Sequence, residues 1–182
     1  MILVNGDSFT AGEESEVAWP DLISNTVNIA VSGASNDYIL RSTVDYVDTH
    51  SVDYVIVAWT SPNRIELPNK HLTSASYKKY GPIVNSVFAD WDTEWAYRKF
   101  IVQTKLLDTY LHDIPHVFVS TFDIQQQATG AGLSCWLGWP QNGIVEWMGD
   151  CPKGVGGHPL ELGHQRIAEK INEHIRHLGW VP

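Results

Sequence analysis

The sequence predicts an α/β fold built on a parallel β-sheet, and three observations lead to this expectation. Short apolar runs alternate along the chain with longer segments of helical periodicity. The short runs are rich in β-branched residues, as expected for strands that are buried on both faces of a parallel sheet. The 182 residues are enough for one substantial core but few for a second domain. We therefore expect residues 1–182 to form a single domain.

Four runs are predicted to be the strands of this sheet: Ile2–Val4, Val27–Ala30, Tyr54–Trp59 and His116–Thr121. Each is short, which is typical of a buried strand between two crossover connections. Because the strands are parallel, their carboxyl ends lie at one edge of the sheet, where open α/β folds bind ligands.

Three segments are predicted to be helices that pack on the sheet. The first, capped by Asn36 or Asp37, faces the core with three residues: Leu40, Val44 and Val47. The second ends near Pro115 and carries an apolar face of four residues: Trp91, Trp95, Val102 and Leu106. The last has Pro159 in its first turn, stops at Gly179 and carries a core-facing stripe: Ile167, Ile171, Ile175 and Leu178.

Two long connections interrupt this alternation, at about residues 60–89 and at residues 123–157. Connections of this length in a compact domain are usually functional loops or disordered segments. Both follow the ends of predicted strands. We therefore expect them to meet the turns after the first two strands around one crevice.

The composition excludes several classes of partner. Lys and Arg total 12 against 21 Asp and Glu, so the formal net charge of −9 disfavours nucleic acid and anionic membrane surfaces. No basic leader and no apolar stretch of about 18 residues is present, which favours a cytoplasmic protein. Cys135 and Cys151 are too few for a disulfide framework and are expected to be buried thiols, although a single bridge between them stays open.

Candidate chemistry lies at the ends of the first three strands. Gly6-Asp7-Ser8 follows the first strand and places a hydroxyl and a backbone N–H in a tight turn. Gly33 follows the second strand and can offer an N–H, and Asn63 follows the third and can offer an amide. Each of these residues taken alone also fits an ordinary turn.

A candidate base lies near the C-terminus, in Gly156-Gly157-His158-Pro159. Histidine is well suited to take a proton from serine near neutral pH, although a capping or solvent-facing role is the alternative. His164 is six residues further on, so the two histidines do not have the spacing of a helical metal site.

The order of Ser8, Gly33, Asn63 and His158 resembles that of the SGNH hydrolases, also called GDSL esterases and lipases. This resemblance implies a three-layer, flavodoxin-like α/β/α sandwich. It also implies that Ser8 attacks an ester carbonyl, that His158 is the general base, and that the Ser8 N–H, the Gly33 N–H and the Asn63 amide form the oxyanion hole. Neither a metal nor a cofactor is implied. The chain has no Gly-x-Ser-x-Gly elbow, which argues against the α/β-hydrolase alternative.

The chain departs from the family pattern at the third triad member, because Val155 stands where the family has an aspartate three residues before the histidine. Three alternatives remain. A backbone carbonyl can hold the imidazole in a Ser8–His158 dyad, which we favour; Asp150 or Asp123 can supply the carboxylate; or the site is inactive. The Asn63 block also departs, with Ser61 in place of Gly and Arg64 in place of Asp.

The expected substrate is a small-acyl or carbohydrate-linked ester, with acetyl as the acyl group that the resemblance suggests. Aromatic side chains in the second long loop either line the substrate cleft or seal the loop over the core: Trp136, Trp139 and Trp147. Arg41 or Arg64 can pair with a substrate carboxylate. The alternative function is that of an inactive SGNH-fold protein that binds a glycan or a small ligand. Compact members of the family occur in phage, where a host glycan is one conceivable target.

Overall fold

The computed structural model describes residues 1–67, 70–72, 77–122, 134–138 and 142–180. The strands in these ranges are β1 (Ile2–Asn5), β2 (Thr26–Asn28), β3 (Tyr54–Trp59), β4 (Ile65–Leu67), β5 (Lys70–Leu72) and β6 (His116–Ser120). The helices are α1 (Ser8–Ala11), α2 (Asn36–Thr49), α3 (Tyr77–Phe88), α4 (Thr93–Tyr110), α5 (Ile144–Met148) and α6 (Glu161–His177). A single 3-10 turn, Trp19–Leu22, connects α1 to β2.

The central sheet contains the four strands that the sequence predicts, in the order β2-β1-β3-β6 and all parallel. The register places Leu3 beside Val27 on one side and beside Val55 on the other. The chain therefore leaves β1 toward β2 and returns on the opposite side of β1 to form β3. This reversal makes the carboxyl ends of β1 and β3 the topological switch point, where folds of this kind bind their ligands.

Two separate cores cover the two faces of this sheet. Alternate strand residues such as Val4 and Ile56 pack against α5, α6 and the 3-10 turn. The residues between them, such as Leu3 and Val57, pack against α2 and α4. All four of these side chains are fully buried. This two-sided burial explains why the strands read as continuous apolar runs, and it makes the fold the three-layer α/β/α sandwich that was expected.

The buried face of α4 differs from the predicted one. Trp95, Val102 and Leu106 are 54%, 55% and 57% exposed. The face that packs on the sheet contains six residues: Ala96, Tyr97, Phe100, Gln103, Thr104 and Leu107. The polar member Gln103 is accommodated because its amide donates a hydrogen bond of 2.9 Å to Asp37 on α2. Periodicity of apolar residues alone therefore selected the wrong face.

The other two predicted helices form with shifted ends. Ser35 caps α2, since its hydroxyl accepts the Tyr38 N–H at 3.3 Å, and the predicted face of α2 packs on the second core. The C-terminal helix α6 begins at Glu161, after Pro159, because Pro159 instead forms an antiparallel bridge with Lys153. Three of its four predicted stripe residues are buried, whereas Leu178 is 47% exposed.

The two predicted long loops contain secondary structure of their own. The first holds the antiparallel hairpin of β4 and β5, followed by α3, and the second holds α5. Cys135 and Cys151 are both free thiols, so the bridge left open by the sequence is absent. No helix in the described ranges combines the length and the apolarity that crossing a bilayer requires.

Candidate active site

Ser8 is held at the start of α1, directly beyond the carboxyl end of β1. The turn that carries it is very tight, because a Cβ on Gly6 would lie 2.5 Å from the hydroxyl oxygen of Thr10. Asp7 caps α1 by accepting the Phe9 N–H at 3.1 Å. Ser8 is 4% exposed. The local sequence therefore fixes the Ser8 hydroxyl at the switch point of the sheet.

Three side chains, two from the segment around α1 and one from near the C-terminus, form a continuous hydrogen-bonded chain at this point. The Ser8 hydroxyl oxygen lies 2.9 Å from Nε2 of His158. The opposite ring nitrogen of His158, Nδ1, lies 3.0 Å from a carboxylate oxygen of Glu14. Because a carboxylate only accepts, Nδ1 carries the proton and Nε2 is left to accept from the Ser8 hydroxyl. This is the arrangement of a serine nucleophile, its base and an orienting acid.

Glu14 reaches His158 because of an unusual backbone path after α1. Gly12 ends α1 in the left-handed conformation with φ of 80°, and Glu14 itself has φ of 69°, which non-glycine residues adopt only when other contacts hold them. Its carboxylate accepts hydrogen bonds from the backbone N–H groups of Gly156 and His158 as well as from the imidazole. The strained backbone is therefore tied down by three donors.

The loop before His158 leaves space for this carboxylate. A Cβ on Gly154 would lie 2.5 Å from the Glu14 carboxyl carbon, and one on Gly156 would lie 2.9 Å from its oxygen. Val155, between these glycines, points into solvent and is fully exposed. The position where the related families carry an aspartate is thus turned away from the imidazole, and the space beside the imidazole belongs to Glu14.

The structure therefore corrects the expectation of a backbone carbonyl at Nδ1 of His158. Asp150 is exposed and makes no contact with His158, and Asp123 lies outside the described residues. Glu14 was missed because the family pattern directs attention to the residues before the histidine. The only signal for it in the sequence was the Glu13-Glu14 pair a few residues beyond Ser8.

Electrostatics favours the charged form of Glu14. The Gly156 N–H, followed by the hydrogen bond from His158, lowers the pKa of the Glu14 carboxyl below its usual value. A second carboxylate, that of Glu13, lies 3.7 Å from Nε2 of His158 on the side of the nucleophile. The imidazole therefore has a carboxylate near each of its two ring nitrogens.

Asp7 connects the strand ends that surround Ser8. Its carboxylate accepts from the Thr60 hydroxyl at 2.5 Å, just beyond β3, and forms an ion pair of 3.0 Å with Arg64. Burial raises the pKa of Asp7, and Arg64 and Thr60 counteract this effect. Arg64 also donates to the Ala34 carbonyl at 3.2 Å and is only 13% exposed. The Arg64 guanidinium is therefore held by Asp7 and Ala34 of the scaffold, and a contact between Arg64 and substrate stays a prediction.

The proposed oxyanion-hole residues lie on the turns that follow β1, β2 and β3. Gly33 adopts φ of 78°, a conformation that favours glycine. The side-chain oxygen of Asn63, Oδ1, accepts the Trp91 indole N–H at 2.8 Å. The side-chain NH₂ of Asn63 therefore faces away from the indole. Within the described part of the chain, no hydrogen bond engages the Ser8 N–H, the Gly33 N–H or that amide nitrogen. All three groups are therefore available as donors.

The tryptophans of the second long loop differ in their positions. Trp136 packs on Phe118 and Phe100 in the second core, with ring centroids 5.6 and 6.2 Å apart. Trp147 is part of α5 and packs against the first core. Trp139 lies outside the described residues. Trp136 and Trp147 thus contribute to packing over the core, which is the second of the two alternatives that the sequence left open.

Comparison with known proteins finds similarity in structure but not in sequence. No protein-family model matches the sequence, and no curated protein does. A lipolytic G-D-S-L protein from Veillonella parvula superposes with a TM-score of 0.52 at 14% identity, covering 94% of this chain and 96% of that one. The psychrotrophic esterase EstA from Pseudoalteromonas gives 0.60 at 12% identity, covering 97% of both chains. TesA gives 0.51 at 12%, covering 97% of this chain and 98% of that one. The chain therefore has the α/β/α fold of the GDSL, or SGNH, hydrolases.

Proposed function

We propose that this chain is a serine ester hydrolase of the SGNH type, in which Ser8, His158 and Glu14 form a catalytic triad. One observation carries the proposal. The two contacts made by His158, 2.9 Å to the Ser8 hydroxyl and 3.0 Å to the Glu14 carboxylate, join a nucleophile, a base and an acid in the order that the reaction needs. The fold shared with esterases and lipolytic proteins supports the same reaction class.

In the first half of the reaction, Nε2 of His158 takes the Ser8 proton while the serine oxygen attacks the ester carbonyl carbon. The negative charge that develops on the carbonyl oxygen is stabilised by the N–H groups of Ser8 and Gly33 and by the Asn63 amide. Collapse of the tetrahedral intermediate breaks the bond to the alcohol, which takes the proton from the imidazolium. The acyl group remains on Ser8.

In the second half, a water molecule gives a proton to Nε2 and attacks the acyl-enzyme. The imidazolium returns this proton to the Ser8 oxygen as the new tetrahedral intermediate collapses and releases the carboxylic acid. Glu14 stabilises the imidazolium in both halves, because its charged carboxylate accepts a hydrogen bond from the Nδ1 N–H throughout. The lowered pKa of Glu14 keeps this carboxylate ionised over the range in which histidine titrates.

The substrate that we propose is an ester with a small, uncharged acyl group such as acetyl. The rings of Phe9 and Phe122 lie against each other at 5.4 Å, and Phe9 also packs on the imidazole of His158 at 5.2 Å. We infer that these packed aromatic rings favour a small acyl group beside the nucleophile. Glu13, 3.7 Å from Nε2, disfavours a negative charge near the scissile bond. We also propose that the alcohol part of this ester is a carbohydrate.

The alternative of an inactive binding protein rested on the missing aspartate. Glu14 supplies a carboxylate at Nδ1, so that ground for loss of turnover no longer applies. The proposal of an active esterase is therefore the better supported of the two.

Hydrolysis of p-nitrophenyl esters and labelling by a fluorophosphonate test the proposal. The Pseudoalteromonas esterase EstA was solved inhibited by monoethylphosphonate, and a phosphonate is expected to modify Ser8 in the same manner. We expect p-nitrophenyl acetate to be turned over faster than longer acyl esters, and Ser8→Ala to abolish both turnover and labelling. Folded protein that neither turns over nor becomes labelled would rule out the esterase. A preference for long acyl chains would contradict only the small-acyl proposal.

A further inference from the structure

A second cluster of reactive side chains lies at the opposite end of the sheet from Ser8. It consists of Asp108 near the end of α4, His116 as the first residue of β6, and Cys135 in the segment 134–138. One ligand atom from each residue lies within 4.8 Å of the others. His116 begins the strand whose last residue, Ser120, borders the active-site end, so β6 separates the two sites by roughly 13 Å at the usual strand rise.

The three elements that carry this cluster are fixed to one another. Segment 134–138 runs beside β6 as a parallel addition to the sheet, with the Phe118 N–H donating to the Cys135 carbonyl at 2.9 Å and the Leu137 N–H donating to the Phe118 carbonyl at 2.8 Å. Trp136 is packed on Phe118 in the core. α4 is packed on the same face of the sheet. The backbone positions of all three cluster residues are therefore held by contacts with the sheet.

Two of the distances within the cluster are close to those around a tetrahedral zinc ion. Oδ1 of Asp108 lies 3.0 Å from Nε2 of His116 and 3.4 Å from the sulfur of Cys135. Ligands about 2.0 Å from zinc for nitrogen and oxygen and about 2.3 Å for sulfur lie about 3.3 to 3.5 Å apart on a tetrahedron. The two distances from Asp108 are therefore within a few tenths of an ångström of the tetrahedral values, and the sulfur of Cys135 and Nε2 of His116 lie within 4.8 Å of each other.

The second ring nitrogen of His116 is arranged as in known metal sites. Nδ1 lies 2.8 Å from the Ile114 carbonyl, which only accepts, so Nδ1 carries a proton. In the neutral imidazole this leaves the lone pair on Nε2, directed at the Asp108 carboxylate. A hydrogen bond from the distal nitrogen to a backbone carbonyl is the usual way in which a protein orients a metal-binding histidine.

We propose that Asp108, His116 and Cys135 bind one Zn²⁺ ion that ties α4 and segment 134–138 to β6. A thiolate and an imidazole exclude Mg²⁺ and Ca²⁺ as the preferred ions, and three protein ligands leave the fourth position to water. The ion has a structural role, because the cluster lies at the amino end of β6 and the nucleophile lies at the carboxyl edge of the sheet. On binding, the Cys135 thiol loses its proton to the solvent as the sulfur–zinc bond forms.

Metal retention tests this proposal without reference to catalysis. Protein stripped with a chelator is given Zn²⁺ or Co²⁺, passed through gel filtration, and assayed for bound metal and melting temperature. We expect one ion per chain, a thiolate-to-cobalt charge-transfer band, and a melting temperature that rises with zinc. Burial and Asp108 raise the pKa of Cys135 to about 12, so the titration is carried out at several pH values and uptake is expected to release a proton.

Matched variants locate the ion. Cys135→Ser is expected to weaken zinc binding by more than about a hundredfold, because changes even beyond the first ligands cost about 10- to 100-fold. Asp108→Asn, which keeps the size of the side chain, is expected to weaken it by at least about tenfold. His112→Asn is the control. His112 pairs with Asp113 at the surface and has no cysteine beside it, so this variant is expected to bind zinc like the wild type.

Two results would overturn the site. One is folded wild-type protein that retains no zinc, and the other is zinc retention that stays unchanged in both Cys135→Ser and Asp108→Asn. Because retention is measured on protein with or without esterase turnover, this site and the proposed triad fail or succeed separately.

Discussion

Glu14 and Ser8 belong to the same short segment, so the acid and the nucleophile of the proposed triad enter the site together. Only His158 has to be brought from the far end of the chain. Its Nδ1 donates a hydrogen bond to the Glu14 carboxylate, which is also oriented by the backbone N–H groups of Gly156 and His158. Preorganised donors of this kind keep the carboxylate in place without cost at the moment of reaction. The triad thus depends on Glu14 as much as on the histidine.

The first prediction concerns the charge of Glu14. Glu14→Gln keeps the size of the side chain but removes the charge that stabilises the imidazolium and selects its tautomer. By comparison with serine proteases that lose the equivalent charge, we expect kcat for p-nitrophenyl acetate to fall by up to about 10⁴-fold with little change in KM. Steady-state kinetics measures the effect.

Glu16→Gln is the matched control, because Glu16 is an exposed carboxylate on the same segment and is outside the triad. It should retain the wild-type rate. If Glu14→Gln loses no more activity than Glu16→Gln, Glu14 is not the third member. Val155→Asp is expected to give no gain, because Val155 points into solvent and Nδ1 is already engaged.

Sequence patterns predicted two members of the proposed triad, Ser8 and His158, but not the third, Glu14. Ser8 and His158 follow motifs whose residue types and order carry the chemistry, so both could be named in advance. Glu14 reaches the site through a left-handed backbone conformation and through space left by Gly154 and Gly156. Neither feature has a signature in residue spacing, and the contact spans most of the chain.

At the scale of elements, the glycine-rich loop before His158 is shaped by what packs against it. Gly154 and Gly156 face the Glu14 side chain at distances that no Cβ tolerates without displacement. Gly157 has φ of 87° and open space around it, so its need for glycine comes from the backbone alone. The same loop therefore contains glycines of two different kinds, and substitutions can separate them.

The second prediction uses this difference. Gly156→Ala places a methyl group against both Glu14 and Nδ1 of His158, so it is expected to push the carboxylate away and lower kcat by up to about a hundredfold. Gly157→Ala is expected to cost about 1 kcal/mol of stability through its left-handed backbone while largely preserving kcat. Kinetics and urea unfolding of both variants separate the two effects. Equal losses of kcat would contradict the steric role of Gly156.

The third prediction concerns α6, which packs on the 3-10 turn through His164. His164 is fully buried, and its Nδ1 accepts the Trp19 N–H at 3.1 Å. Burial lowers the pKa of His164 in the folded protein below its ordinary value of 6.5. Between these two pKa values, His164 is protonated in the unfolded chain but neutral in the folded one. Stability therefore falls as the pH is lowered through this window, and full stability is reached above it.

His164→Asn tests this linkage, because the asparagine oxygen can replace Nδ1 as acceptor but does not titrate. Urea unfolding from pH 7 down to about pH 5 is expected to give a shallower loss of stability in His164→Asn than in the wild type. Half-buried His174 also has a pKa lowered by partial burial, so part of the slope remains. The exposed His112→Asn variant should keep the wild-type slope. If the pH dependence of the free energy of unfolding is the same in His164→Asn as in the wild type, His164 is not its source.

Elements could be predicted from the sequence where burial is complete and less well where it is partial. β3 has the predicted bounds because every residue after its first is buried and apolar. α4 was assigned the wrong face because Trp95, Val102 and Leu106 are apolar but exposed, whereas Gln103 and Thr104 are polar but buried. Tertiary hydrogen bonds, such as that from Gln103 to Asp37, decide such cases and are invisible in periodicity.

For the whole molecule, the fold brings residue 8 and residue 158 together beside two carboxylates, in a chain that is acidic overall. The chain has a formal charge of −9, and Glu13 lies 3.7 Å from Nε2 of His158 with 45% of its side chain exposed. Asp7 is neutralised by Arg64, so the buried pair adds little to the field. The exposed carboxylates of the site therefore add to the overall negative potential that an approaching substrate meets.

The last prediction follows from this field. We expect kcat/KM for an anionic ester, p-nitrophenyl hemisuccinate, to be well below that for the neutral acetate at low salt. Raising the ionic strength from about 0.01 M to about 0.15 M shortens the screening length from about 30 Å to about 8 Å, so the anionic ester should gain severalfold while the neutral ester stays unchanged. Glu13→Gln should reduce the discrimination at low salt, and Glu16→Gln should do so less, because only Glu13 lies beside the imidazole. If salt slows the anionic ester or leaves it unaffected, the acidic field does not govern access to Ser8.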